Sequence, residues 1–419
     1  MPFLLVVLLG AAIAETGFSL WLSRRQIAHV TRHQNAVPAE FSDVVTPAEH
    51  RKAADYTVAR ERLAMVRSIV SLLIGAAWLL GGFDRLYAAL ALITPPSIGR
   101  SVLFVLAIAA VSEIIALPFA VYRTFVVEQR FGFNRATPRL FAFDKLKGWA
   151  IALAVAVPLL AGCFWVMRNL AGLWWLYVWL GVVAVMVAAP TIYVRWIAPR
   201  FNRFTPLPDG ELRRGIEGLM RACGFRAAGL FTMDASKRSA HGNAYFIGFG
   251  RSKRIVLFDT LVEGSAPAEI QAVIAHELGH FHYRHVLFGL LRAAAITFVA
   301  LFAFGWLARQ PWLLPALGLA HADDALSLIA GMLCWSILGP FLSLAGNWLS
   351  RRNEFQADDF ARAHVGAAPI ISALVKLSRE NASTLTPDRL YALYHYSHPP
   401  VPLRVARVRG RSGGEPPVA

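Results

Sequence analysis

A chain of 419 residues that is 56% hydrophobic and only 16% charged is too apolar for an ordinary water-soluble enzyme, and long enough for more than one structural unit. The formal net charge of +16 raises nucleic acid as a partner, but the cations sit in short loops between apolar blocks, where membrane topology and anionic headgroups account for them; no nucleic-acid partner is expected. Of the three cysteines, Cys163 and Cys334 fall in apolar blocks and Cys223 in a polar segment, so neither a disulfide framework nor a thiolate metal site is expected.

In chain order, seven segments reach membrane-spanning length, at about 3–22, 69–93, 102–122, 149–167, 173–194, 286–308 and 325–349. The first has no basic residue ahead of it and Arg24 and Arg25 behind it, the layout of an uncleaved anchor rather than a signal peptide. The loops then alternate in charge. Residues 23–63 carry seven Lys or Arg and residues 123–147 carry six, whereas 94–101 and 309–324 carry one each, Arg100 and Arg309. By the positive-inside rule the N-terminus lies outside and the C-terminus inside. Arginine outnumbers lysine 36 to 6, the bias of a high-GC bacterial genome, which points to a bacterial cell membrane.

This divides the chain into a membrane region with five spans and their loops (1–195), a cytoplasmic portion (196–285), two further spans (286–349), a second cytoplasmic portion (350–410) and a disordered tail (411–419). Within 196–285 the pattern predicts an amphipathic helix at about 209–223. Two strands are expected, Asn243 to Gly250 and Arg254 to Phe258, around a polar turn. A helix is expected from about 266, past His285, into the sixth span.

That last helix carries His276-Glu277-Leu278-Gly279-His280, an H-E-x-x-H run. One helical turn puts both imidazoles on one face with a carboxylate beside them, the minimal zinc-hydrolase cassette. A catalytic zinc takes three protein ligands and leaves one position for water, so a third donor is required. Glu354, in Asn353-Glu354-Phe355-Gln356-Ala357-Asp358 after the seventh span, is the candidate. Helical spacing puts Asp358 on the same face, where it can orient a ligand imidazole. The alternative is a solvated acidic face on a membrane-proximal helix.

Together with H-E-x-x-H, that hexapeptide resembles the type 1 CAAX prenyl protease family of integral-membrane zinc metalloproteases. So do Glu128-Gln129-Arg130-Phe131-Gly132-Phe133-Asn134, Asn243-Ala244-Tyr245-Phe246, and Tyr394-His395-Tyr396-Ser397-His398-Pro399-Pro400 with Arg404. The resemblance covers about residues 40–410. It implies a largely helical polytopic membrane fold, with seven spanning helices around a water-filled intramembrane chamber and a small thermolysin-like α+β portion on the cytoplasmic side. Carried over by position, it implies one zinc bound by His276, His280 and Glu354, Glu277 as general base, and Asn243, Ala244 and Tyr245 on a strand that receives the peptide. His398 and Arg404 would complete the pocket.

An oxyanion forming opposite the metal needs a donor, and His398 is the candidate, with Tyr245 and Asn243 behind it. Equally, His398 ahead of two prolines can cap a turn, and Asn243 can satisfy a local backbone group. Arg404 is expected to pair with Asp358 or Glu354. His282 and His285 read as the polar end of the helix. Glu113, inside the third span, calls for a water-filled chamber or an interhelical hydrogen bond. Glu128 and Asn134 are expected to organise the loop beneath the site.

The leading reading is a zinc endopeptidase acting on a peptide or protein substrate, lipidated or not, in contact with membrane lipid. Eukaryotic members of the family cut prenylated C-terminal CAAX tails; in a bacterium, processing of membrane or translocation-stalled proteins is the alternative. The bacterial heat-shock membrane metalloproteases share the chemistry, but fewer spans are expected there. From other classes, a transporter would show inverted repeats and broken helices, and a silent scaffold would bind lipidated peptides without cutting them.

Overall fold

The computed structural model describes residues 2–170, 172–225, 227–247 and 254–410. The expected tail 411–419, the polar turn at 251–253 and the last strand residues 248–250 lie outside them.

The N-terminal half is a run of long helices: α1 (Phe3–His33), α2 (Pro47–Ala77), α3 (Phe83–Ile93), α4 (Ile98–Tyr122), α5 (Pro138–Asn169) and α6 (Trp174–Ile192). Their starts are written in the sequence. Thr46, Ser97 and Thr137 each accept a backbone N–H of the first turn, and Pro47 and Pro138 occupy the opening helical position, where no N–H is needed. The second part follows as β1 (Phe204–Pro206), α7 (Glu211–Ala222), β2 (Gly229–Met233), β3 (Ala244–Ile247), β4 (Arg254–Phe258), α8 (Asp259–Gly264) and α9 (Pro267–His282). Helices α10 (His285–Leu307), α11 (Leu313–Ala316), α12 (Asp324–Ser336), α13 (Gly339–Val365), α14 (Ala367–Glu380), α15 (Arg389–His395) and α16 (Val401–Val408) complete the chain.

Among the described residues six helices are long and apolar enough to cross a membrane: α1, α2 running on into α3, α4, α5, α6 and α10. Helices α12 and α13, bent by 55° at their junction, qualify only as a pair, so where hydropathy predicts an uninterrupted seventh span the chain has a break. Pro340 explains how the break is tolerated: it lies in the first turn of α13, where its missing N–H leaves no carbonyl unsatisfied.

The expectation of one helix running from 266 into the sixth span is also corrected. Helix α9 ends at His282, and α10 begins at His285 after Arg284, which adopts φ 55° in the left-handed region. The sheet is larger than the two expected strands. Among the described residues it has four, in the order β1-β2-β4-β3, with β2 and β4 parallel and the outer pairs antiparallel. The short β1 and β2 lack the long apolar alternation that marks a strand in a sequence. The order leaves β3 at an edge of the sheet.

One apolar core joins this sheet to the helices that follow it. Ile255 and Leu257 of β4, Ile274 and Leu278 of α9 and Val405 of α16 are essentially inaccessible within it. Helix α9 packs along α13 at very short range: a Cβ on Gly279 would lie 2.9 Å from Ala357 Cα. At the opposite end of the spans a polar cluster ties α3, α4, α5 and α12. Arg168 pairs with Asp324 at 2.7 Å, while Asp323 accepts from Tyr87 at 3.0 Å and Ser101 at 3.1 Å. Glu113 of α4 is bonded by Lys145 at 2.8 Å and Trp149 at 3.1 Å on α5, so its in-membrane carboxylate has an interhelical partner.

Candidate metal centre

Helix α9 begins with a built cap: Pro267 opens it, and Glu269 Oε2 accepts the Ala266 N–H at 2.9 Å. From there the 3.6-residue period turns His276 and His280 to the side that meets α13. Their Nε2 atoms are 3.2 Å apart. Glu354 of α13 reaches the same point, with Oε2 3.4 Å from His276 Nε2 and Oε1 3.2 Å from His280 Nε2. Donors bonded at about 2.0–2.1 Å to a tetrahedral centre are separated by roughly 3.3–3.4 Å, and the distance between the imidazoles and that from each imidazole to its own nearer carboxylate oxygen fall close to this value.

Two further observations fit a dication. Glu354 Oε2 is buried without a hydrogen-bond donor, a costly state for a carboxylate oxygen unless a cation meets it. The surroundings also hold an excess of negative charge. Glu277, Glu354 and Asp358 face one guanidinium, Arg404, so with both imidazoles neutral, as metal ligation requires, the carboxyl groups outnumber the cation.

Outer partners fix the tautomers. Asp358, fully buried, lies 2.9 Å from His276 Nδ1, so that nitrogen donates and Nε2 keeps its lone pair. Arg404 holds Asp358 with two hydrogen bonds, 2.8 Å from Nε and 2.7 Å from Nη2, and its Nη1 lies 3.6 Å from Glu354. Burial opposes charge on His276, yet the neighbouring Asp358 and Glu354 carboxylates outweigh it and raise the imidazole pKa to about 9. Burial also raises the Glu277 carboxyl above its ordinary range, with the two imidazoles pulling the other way.

His285, read from the sequence as merely polar, is part of this network. Its Nδ1 is 2.9 Å from His280 Nδ1, and its Nε2 is 2.9 Å from Gln356 Oε1. If His280 Nε2 keeps its lone pair, one assignment satisfies the chain: His280 Nδ1–H donates to His285 Nδ1, and His285 Nε2–H donates to Gln356. On an unbroken helix His285 would project about 140° away from His280. The left-handed turn at Arg284 brings it back. The sequence signal for its partner was Gln356 inside the hexapeptide, two residues from Glu354.

The remaining predicted residues are placed unevenly. His398 comes close, its Nε2 3.4 Å from Glu354 Oε1 and its Nδ1 3.0 Å from Ser397 Oγ, and its side chain is 65% exposed and open to a bound molecule. Asn243 precedes β3, and its Oδ1 accepts the Ala244 N–H at 2.8 Å, the local contact weighed above as an alternative. Ala244 and Phe246 face the core shared with α9, so by strand alternation Tyr245 points to the other side, where its hydroxyl lies 3.7 Å from Met233 Sδ. The Tyr245 hydroxyl therefore leaves β3 on the face away from α9.

Glu128 accepts from Tyr56 at 2.9 Å and lies 3.6 Å from His241 Nε2. Asn134 pairs with Ser239 in an antiparallel bridge, and the Phe133 ring stacks on His241 at 4.3 Å. Their loop is stitched to the segment that leads into β3.

Two family profiles match this chain: "CAAX prenyl protease N-terminal, five membrane helices" over residues 26–203, and "Peptidase family M48" over residues 206–412. The CAAX prenyl protease 1 homolog of Arabidopsis thaliana is 32% identical over 98% of each chain. The chain belongs to the CAAX prenyl protease 1 family. The human CAAX prenyl protease 1 homolog is 30% identical, covering 90% of this chain and 89% of its own. The crystal structure of S. mikatae Ste24p superposes with a TM-score of 0.90 at 30% identity, covering 97% of this chain and 99% of that one. As a family member the chain is a membrane-embedded metalloendopeptidase with several spans, and the transporter and scaffold readings fall away. The relatives named here are eukaryotic, so they lend no weight to the bacterial origin suggested by arginine usage.

Proposed function

We propose that this CAAX prenyl protease 1 family member is a zinc endopeptidase that cleaves an extended peptide laid along the free edge of β3. The observation that carries it is the convergence of His276, His280 and Glu354 at the spacing of metal ligands, beside Glu277. Zinc, when bound, supplies Lewis acidity, lowering the pKa of water and polarising a carbonyl. Glu277 accepts the proton of the attacking water and returns it to the departing amine. The exposed His398 ring donates to the oxyanion. Asp358, Arg404 and His285 hold the ligands in orientation.

The edge position of β3 supports strand addition, in which the peptide pairs with the main chain of Ala244 to Ile247. In that geometry Tyr245 contributes its backbone rather than its hydroxyl, and Asn243 shapes the entry to the strand. We assign the substrate to the class named by the relatives, a CAAX-type C-terminal peptide carrying a prenyl group, with the active site on the cytoplasmic side, as the charge bias of the loops supports.

The test uses the full chain in detergent, with metal content measured beside cleavage of matched farnesylated and unmodified peptides. About one zinc per chain is expected, with a rate at least about 100-fold lower for Glu277→Gln, which retains the metal. Equal rates on both peptides would overturn the prenyl assignment. Metal-free, fully active protein would overturn the zinc mechanism.

A further inference from the structure

Where α2 and α4 reach the end of the molecule that carries the metal centre, a cavity of about 510 Å3 opens between them. Val66, Phe119, Tyr122 and Val126 give it apolar walls, and Arg62 and Arg130 are its charged lining residues. The sequence explains why the helices part here. Pro118 removes one backbone donor from α4, and the next turn, Arg123–Glu128, is wound as a wider π-helix.

Both arginines are exposed, and among the described residues neither enters an ion pair. Of the neighbouring acids, Glu61 accepts from Tyr391 at 2.7 Å, and Glu128 from Tyr56 at 2.9 Å and Arg123 at 3.4 Å, while the exposed Asp55, seven residues before Arg62, forms an ion pair with neither arginine among the described residues. Arg62 precedes the apolar stretch that starts near Ile69 by about 10 Å of helix, which is headgroup depth, whereas Val66 and Phe119 lie toward the hydrocarbon. Two cations without an anionic partner among the described residues, Arg130 lying over the Phe131 ring at 5.5 Å, complement a phosphate joined to an acyl chain above an apolar groove. A prenyl chain alone has no use for the cations. A zwitterionic headgroup carries a cation of its own, which the second arginine repels.

We propose that this cavity binds an anionic glycerophospholipid of the surrounding bilayer, its phosphate between Arg62 and Arg130 and an acyl chain along Val66, Phe119 and Tyr122. The lipid would underpin the loop that supports β3. Val127 and Phe131, which also line the cavity, belong to the buried cluster of Tyr56 and Phe133, and Phe133 stacks on His241 ahead of the strand.

The experiment is native mass spectrometry of the full chain in detergent, titrated with phosphatidylglycerol or with phosphatidylcholine of the same acyl chains. The wild type should retain one phosphatidylglycerol in preference to phosphatidylcholine. Arg62→Gln with Arg130→Gln should lower that affinity by roughly thirtyfold, and Arg139→Gln, a boundary arginine outside the cavity, should leave it unchanged. Val66→Trp fills the groove with both arginines intact and should also abolish the adduct. Equal retention of the two lipids by the wild type would overturn the proposal. So would an unchanged preference in the double variant, recovered monodisperse and active, or in Val66→Trp. Displacement of the lipid by a farnesylated peptide would assign the cavity to the substrate instead.

Discussion

His285 shows how a residue acquires a role from a single dihedral angle. Its sequence position suggests only a polar helix end, yet the left-handed Arg284 turns it into the acceptor for His280, with Gln356 behind it. Losing such a partner weakens metal binding by about 10- to 100-fold. His285→Ala is therefore expected to bind zinc that much less tightly in competition with a chelator of known affinity. His285→Gln, which can accept and donate in the same places, should recover most of the loss. Equal affinities in all three proteins would leave His285 without a role at the metal.

At the scale of elements, the site exists because α9 and α13 approach closely. Gly279 permits this: a methyl there would meet Ala357 Cα at 2.9 Å and Phe360 Cβ at 3.1 Å, backbone and core atoms with no room to yield. Gly279→Ala should push the helices apart, destabilise the fold by about 1–3 kcal/mol and reduce bound zinc, read by thermal unfolding and metal analysis. Glu269 anchors the other end of α9, accepting from Ser372 at 2.6 Å and Lys376 at 3.1 Å on α14. Burial raises its pKa, but these bonds and the Ala266 N–H outweigh it and hold the value below 4.5. A depressed folded-state pKa means stability that is present above the unfolded value and lost as pH falls through the folded one. Glu269→Gln should accordingly cost about 1 kcal/mol at pH 7, and the difference should vanish in acid. A pH-independent difference would argue that packing, not charge, is responsible.

For the molecule as a whole, the candidate metal links segments that the chain keeps far apart, with α10, α11 and α12 between the histidines and Glu354. A ligand bound only by the folded state stabilises it by about 4 kcal/mol at a thousandfold excess over its dissociation constant. Chelation should thus lower the unfolding temperature, and added zinc should restore it together with activity. Unchanged unfolding after complete metal removal would show that the metal does not clamp α9 to α13.

Much of this architecture was legible before the fold was seen. Hydropathy over about twenty residues marks spans because every backbone group in lipid must be satisfied within its own helix, and the i, i+4 spacing of His276 and His280 puts them on one face whatever surrounds them. Both are local properties, and by themselves they determined the membrane class, the approximate spans and the candidate metal-binding cassette. Which elements meet was decided by packing between distant segments. Tertiary contacts brought Glu354 to the histidines, turned His285 back, sent the Tyr245 hydroxyl to the far side of the sheet and bent α12 against α13. Helical and strand periods state which face a side chain occupies along its own axis. The partner of that face is chosen by burial across the whole chain, and no local pattern encodes it.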